Sequence, residues 1–350
     1  MNLSTNYKYS ALIVKNISEI SKIQGELSVS HFSVNEKLIF RQASIAESAH
    51  YSTKIEGNTL TLKQVTDSLN RNKSKEKLTR EFKEIINYAK AQQYLMQPNI
   101  ELNEKSLLKS HDILLSGILL KSMRGRYRTM QNAIKDVKTG KLVYLPPQWS
   151  EVKILMKELL RICKAQLTFP SEAIIVSGIF HFHFESIHPF IDGNGRLGRL
   201  WSTQILKKND FSFVELSALE KYHEKYRSAY YENLHKMQGD LFYNISSQLD
   251  LTPWLEYWSE SLLFSAKEAY AKTQKSSLEF DSTLLDTRLV AAQKLFTIHK
   301  KLSADQYQLL AHLGRTQAVE DLNKLIKLKF IKKVGGGRST FYILKSLSSD

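Results

Sequence analysis

The sequence predicts a mainly α-helical chain with a small β-hairpin near its middle and a compact helical and β module at its C-terminus. Three observations carry this reading. Long proline-free stretches, at 151–163, 172–184 and 254–272, repeat apolar residues three and four apart, the period of a helix with one buried face. Lys141-Leu142-Val143-Tyr144-Leu145 is a β-type run between Gly140 and the Pro146-Pro147 pair, and with residues 130–138 before it the segment reads as a hairpin. Near the C-terminus, helices are expected over 305–313 and 316–328, followed by strands over 330–334 and 339–344 around Gly335-Gly336-Gly337-Arg338. Helix, turn, helix and hairpin in that order is the winged helix-turn-helix pattern. A polar, weakly periodic stretch at 273–282 marks a boundary. The expected domains are an N-terminal helical region at 1–100, a core at 101–250, a helical connector at 251–280 and the terminal module at 281–350.

Composition narrows the class. Charged residues make up 24% and hydrophobic residues 42% of the 350, which excludes a disordered chain, a collagen-like fibre and a coiled-coil rod. No apolar run approaches the roughly 18 residues that span a bilayer, so no membrane partner is expected. The polar stretch 1–10 lacks an apolar signal core, which places the chain in the cytoplasm. Cys163 is the sole cysteine, ruling out an intramolecular disulfide and any multi-cysteine zinc site. Fifty Lys and Arg against 35 Asp and Glu leave a net charge of +15. Such a surplus serves solubility or attracts nucleic acid. Residues 286–350 hold 12 Lys and Arg against 5 Asp and Glu, or +7 of the total. Lys324, Lys327, Lys332, Lys333 and Arg338 in that tail suit phosphate contacts, while Glu320 and Asp321 dilute the basic face. DNA binding, dimerisation and protein docking all stay open for this module.

The chemistry concentrates in twelve residues, His188-Pro189-Phe190-Ile191-Asp192-Gly193-Asn194-Gly195-Arg196-Leu197-Gly198-Arg199. A helix ends near Pro189, a loop with two glycines follows, and a second helix begins at about Gly195. Glycines let successive N–H groups converge on an anion, and the new helix adds free N–H groups and a favourable dipole. Asn194 can donate its amide to the same anion. Arg196 and Arg199, three apart, share one helix face and reach further phosphate oxygens. Asp192 offers a hard oxygen ligand for Mg²⁺, and His188 is placed to take a proton from an attacking hydroxyl. The competing reading is a turn and a helix cap; neither a Rossmann nor a Walker pattern accounts for the glycines. His181 and His183 are two apart, unlike the i, i+4 pair of a helical zinc site, and read as packing residues. Ser52 and Glu56 lie one helical turn apart before Gly57, which alone is an ordinary helix end.

His-Pro-Phe-x-Asp-Gly-Asn-Gly-Arg-x-x-Arg is the signature of Fic-domain proteins, and residues 188–199 match it at every defined position. The chain therefore resembles that family, from the hairpin near 130–147 to Tyr230-Tyr231. The resemblance implies a Fic-type helical core with a β-hairpin flap and transfer of AMP from ATP to a Ser, Thr or Tyr hydroxyl, on a target protein or on the chain itself. It implies His188 as general base and Asp192 as Mg²⁺ ligand. Gly193, Asn194, Gly195, Arg196, Leu197, Gly198 and Arg199 would hold the nucleotide. Doc-type kinases depart from the Gly-Asn-Gly form, so its retention favours adenylyl over phosphoryl transfer. Tyr230 and Tyr231 lie where the family contacts adenosine, and both also suit an aromatic core. Ser52-x-x-x-Glu56-Gly57 resembles the family's inhibitory helix, whose glutamate pairs with the second signature arginine, here Arg199. The segment 140–147 resembles the flap that docks the target strand. ATP, a target protein, DNA and a second copy of the chain are the partners this reading allows. Its alternatives are a nucleotide-sensing DNA-binding regulator, transfer of another phosphate-containing group, and removal of AMP.

Overall fold

The computed structural model describes residues 3–29, 34–70, 79–135, 139–299, 301–311, 313–327, 330–336 and 340–344. Residues 136–138 of the expected hairpin, Leu328 at the end of the last expected helix, and Arg338 and Ser339 lie outside them. In chain order the first elements are α1 (Ala11–Val29), α2 (Val34–Ile55), α3 (Leu62–Asn70), α4 (Arg80–Leu95) and α5 (Glu104–Leu114). A two-stranded hairpin follows, β1 (Ile134–Lys135) and β2 (Leu142–Tyr144), and a single 3-10 turn at Trp149–Glu151. Then come α6 (Val152–Gln166), α7 (Glu172–Ile187), α8 (Asn194–Lys208), α9 (Glu220–Lys225), α10 (Arg227–Gln238) and α11 (Thr252–His299). The C-terminal elements are β3 (Lys301–Leu302), α12 (Ala304–Leu310), α13 (Arg315–Lys327), β4 (Ile331–Val334) and β5 (Phe341–Leu344).

The centre of the first unit is α7. Its residues Ala173 to Ile187 are all buried, as expected of a helix that is apolar on every side. Helices α6 and α8 pack on two of its faces. The first turns of α11 close a third: the Trp254 indole donates to the Gly178 carbonyl at 2.8 Å, and the Trp258 indole to Ser177 Oγ at 3.0 Å. Gly178 makes this approach possible, because a Cβ there would lie 2.7 Å from the Trp258 ring. The middle of α7 is therefore clamped against α11, and the loop that leaves the helix starts from a fully buried support.

Contacts divide the chain into Met1–Ala271 and Lys272–Asp350. The division expected between 1–100 and 101–250 does not appear as a break. Hydrogen bonds explain why. The Ser4 hydroxyl donates to the Leu249 carbonyl at 2.6 Å, the Ser4 carbonyl accepts from His183 Nε2 at 2.6 Å, and Asn16 donates to Ser259 Oγ at 3.0 Å. The boundary expected near 273–282 falls beside the division at Ala271 and Lys272, yet the stretch itself is helical. It contains neither Pro nor Gly, so nothing interrupts the helical ladder, and it lies within α11.

In the second unit, Leu289, Phe296, Tyr307, Leu322, Leu325 and Ile331 form a separate core. Ser303 caps α12 in a reciprocal capping box with Gln306. The strands pair antiparallel in the order β3-β5-β4, with Lys301 opposite Ile343 and Val334 opposite Phe341. The third strand, β3, is two residues long, too short for periodicity to show it. Asp321 is buried and accepts from the Tyr307 hydroxyl at 3.0 Å. It therefore does not dilute the basic face of α13, as the sequence had suggested; Glu320 stays exposed.

Candidate active site

The loop between α7 and α8 is held at every turn. His188 ends α7 in the left-handed region at φ 48° and ψ 60°. This conformation costs roughly 1–2 kcal/mol in a non-glycine residue, so its surroundings must enforce it. Asn194 spends its side chain on the loop itself: Oδ1 accepts from the Phe190 N–H and Nδ2 donates to the Phe190 carbonyl, both at 2.9 Å. It shapes the cradle, where the sequence had offered it as an anion donor. Gly193 adopts φ 82°, and a Cβ there would meet the Leu115 side chain at 2.7 Å. From α5, His111 stacks on Phe190 with ring centres 3.9 Å apart. The Gly125 N–H donates to His111 Nδ1 at 2.9 Å, so Nε2 carries the proton and donates to the Asp192 carbonyl at 3.2 Å. No sequence motif singles out His111; its part follows from where α5 is packed.

Two sets of ion pairs surround the start of α8. Arg199 is 1% exposed; its Nε donates to Ser52 Oγ at 2.9 Å, and its Nη2 to the Ser52 carbonyl at 3.0 Å and to Glu56 Oε1 at 2.8 Å. Glu56 sits just beyond the last turn of α2, which Gly57 ends with φ 96°. Its carboxylate lies so close to Gly195 that a methyl group there would collide with it. Burial alone would raise the Glu56 pKa, but Arg199 and then Arg196 outweigh it and hold the carboxyl below the ordinary 4.5. On the other side, Asp192 accepts from Arg196 Nη2 at 2.8 Å and from Arg80 Nη2 at 3.2 Å. Glu84 closes this ring, 3.1 Å from Arg80 Nε and 3.5 Å from Arg196 Nη1. Neither Arg80 nor Glu84 belongs to a motif.

Burial pushes the His188 imidazole down to about 4, against a partial upward pull from Glu56 and Asp192. The ring is therefore neutral at physiological pH, the form that can accept a proton. Burial pushes the Glu185 carboxyl up to about 8, and its Oε1 has no hydrogen-bond partner among the described residues. That oxygen faces Gly198, where a Cβ would approach it to 2.6 Å and the Phe184 ring to 3.0 Å. Gly198 thus serves the α7–α8 contact, and Leu197 is fully buried in the core, so neither presents a side to a ligand. Of the two tyrosines, Tyr230 is in the core with its hydroxyl bonded to His181 Nε2 at 2.8 Å, while Tyr231 is 45% exposed. His181 also meets Ser202 Oγ at 3.2 Å, and both it and His183 are buried among protein partners. Among the described residues no group of three His, Cys, Asp or Glu can hold a metal ion. Asp192 offers a single hard carboxylate, which suits an Mg²⁺ whose other ligands are phosphate and water.

Residues 101–206 match the model of the Fic/DOC family. The chain carries a Fic/DOC-family domain. The protein named Protein adenylyltransferase Fic in Drosophila melanogaster is 23% identical over 247 residues, 69% of this chain and 46% of that protein. The chain thus spans about half the length of the curated relatives it matches. Among solved structures, a Fic family protein from Desulfovibrio desulfuricans is 26% identical, with a TM-score of 0.64 over 98% of this chain and 99% of that one. Fic-1 from C. elegans, 23% identical, shares the fold with a TM-score of 0.58 over 76% of this chain and 74% of its own. The helical core and the small hairpin are those of a Fic domain. Among the described residues no helix is long and apolar enough to cross a membrane.

Proposed function

We propose that this chain is a protein adenylyltransferase held in check by its own Glu56. It would transfer AMP from ATP to a Ser, Thr or Tyr hydroxyl of a target protein, and to itself, with release of pyrophosphate. One observation carries the reading: the Glu56 carboxylate lies against Gly195 at the open N-terminus of α8 while bound to Arg199 at 2.8 Å. A helix N-terminus flanked by arginines is a site for an anion, and here a carboxylate of the same chain stands where phosphate oxygens would enter.

In the reaction, the first turn of α8 and Arg196 hold the polyphosphate, and Arg199 orients its far end once Glu56 withdraws. His188 Nδ1 lies 3.4 Å from the Glu185 carbonyl, and with its proton directed there Nε2 is left as the acceptor. The target hydroxyl gives its proton to Nε2 as its oxygen bonds to the α-phosphorus. The bridging oxygen to the β-phosphorus departs with pyrophosphate. Asp192 would hold Mg²⁺, which when bound neutralises charge on the phosphates. The hairpin β1–β2 would dock an extended target segment by strand addition. Incubating wild type and Glu56→Gly with ATP and Mg²⁺, then measuring intact mass, tests the reading. An AMP adduct that grows faster in the variant supports it; no adduct in either protein overturns it.

For the second unit we infer a winged helix that binds DNA through exposed Lys332 and Lys333 on β4 and Lys327 on α13. Electrophoretic retention of DNA by the full chain should fall steeply between low and high salt; salt-insensitive retention, or none, counts against it.

A further inference from the structure

Arg128 is a cation buried to 4% exposure, and among the described residues no carboxylate pairs with it. Its partners are carbonyls. Nε donates to the His188 carbonyl at 3.0 Å, and Nη2 to the Pro147 carbonyl at 2.5 Å and to the Ile187 carbonyl at 3.5 Å. Nη1 donates to the Met130 carbonyl at 3.3 Å, and the Arg128 backbone N–H to the Pro189 carbonyl at 2.9 Å. These acceptors fall into two groups. Met130 and Pro147 flank the hairpin on either side. Ile187, His188 and Pro189 are the point where α7 stops and His188 takes its left-handed conformation.

The choice of carbonyls has a physical reason. The last carbonyls of a helix have no partner within it and carry the negative end of its dipole. A guanidinium at that position neutralises them and, with five donors in a rigid plane, reaches several acceptors that diverge in space. A lysine ammonium has the charge but presents its donors from one point. Two further bonds run alongside: Gln131 donates to the Pro146 carbonyl at 2.9 Å, and Asn132 to the Phe190 carbonyl at 3.2 Å. Neither of them touches His188.

We propose that Arg128 is a positioning residue that ties both ends of the hairpin to the backbone of His188, so that a strand docked on the hairpin and the base that deprotonates its hydroxyl share one frame. This rests on the adenylyltransferase reading. It places part of the target specificity in geometry: only a hydroxyl at one distance along the docked strand would meet His188. The role depends on the spread of donors in addition to charge, which separates it from a simple electrostatic effect. The cradle that holds ATP is built by other residues and should not change.

The test compares Arg128→Lys and Arg128→Met, each in the Glu56→Gly protein and alone. Three quantities are read: amide hydrogen exchange, binding of a fluorescent ATP analogue, and the rate of AMP transfer. Both variants should exchange faster across 130–135 and 141–147 while α6 keeps its protection. ATP affinity should stay within about twofold, and transfer should fall about 10²-fold, the loss expected for a misplacement of about 1 Å. Nuclear magnetic resonance of the His188 ring should shift in both variants. If Arg128→Lys restores exchange, ring signals and rate, charge and not geometry is what matters, and the proposal fails. Exchange that rises uniformly across the chain would reduce Arg128 to a stability role and equally overturn it. Should Glu56→Gly alone form no adduct, the transferase reading falls, while exchange and the ring signals still decide whether Arg128 couples the two segments.

Discussion

The two arginines of the signature, three residues apart on one helix, live in different worlds. Arg199 is 1% exposed and is held by Ser52 and Glu56 from the end of α2. Arg196 belongs to a ring with Asp192, Glu84 and Arg80, of which Arg80 is 63% exposed. Both guanidiniums are buried, Arg199 at 1% and Arg196 at 4%, and the carboxylates on each side reach water, Glu56 at 36% and Asp192 at 30%. The difference is that Arg199 gives three bonds to Ser52 and Glu56 on one segment, while Arg196 shares its carboxylates with a solvent-facing Arg80 that can exchange partners ion for ion. The same pairing of carboxylate and guanidinium is therefore tied to a single segment in one place and shared with a solvent-facing arginine in the other.

Several experiments separate the two sides, beginning with the group that both surround. His188→Ala should lower AMP transfer by ~10²–10⁴-fold, the usual worth of a positioned base, in assays of labelled ATP. Transfer at the wild-type rate would leave both sides guarding nothing. Glu56→Gly should raise automodification roughly 5- to 150-fold, the range common for coupled sites, read by intact mass. Arg80→Ala should raise MgATP affinity by less than about fivefold, since pairs that reach solvent are typically worth about 1 kcal/mol or less. A larger gain for Arg80→Ala than for Glu56→Gly would invert the comparison.

Acid and alkali probe the dry side through stability. Burial holds His111 at about 4, His181 at about 3, His183 at about 4 and His188 at about 4, all below the ordinary 6.5. The unfolded chain takes up protons that the native one refuses, so their contribution is full above pH 6.5 and is lost as pH falls towards 4. The melting temperature should drop across that window. Glu185, raised to about 8, acts in the opposite sense: its contribution is present below the ordinary 4.5 and is lost as pH rises through 8. Between pH 5 and 8 the melting temperature of wild type should therefore fall relative to that of Glu185→Gln. A parallel course in both proteins would mean that the carboxyl is already ionised.

The loop at 188–199 was legible because its chemistry is local: glycines, a base, an acid and two arginines act within a few residues of one another. What lay beyond reach depends on segments distant in sequence. Arg80 meets Asp192 and Glu84 meets Arg196 across more than a hundred residues, and nothing in their own helix announces it. Gly198 meets Glu185 and Phe184 of α7, and spacing within the motif does not show that contact. The stretch 273–282 marked the boundary between the two units to within a few residues, but its polarity did not reveal that a helix runs through it. Helices were visible through their period; the short strand β3 had too few residues to show one.

The single turn after the hairpin has a practical consequence. Trp149, which opens it, is 46% exposed, while Trp201, Trp254 and Trp258 are fully buried. These four are all the tryptophans in the chain. A water-soluble quencher will therefore extinguish the emission of one indole and spare the other three. The protein carries an optical probe two residues after Pro147, needing no label, with which any binding beside the hairpin can be followed in real time.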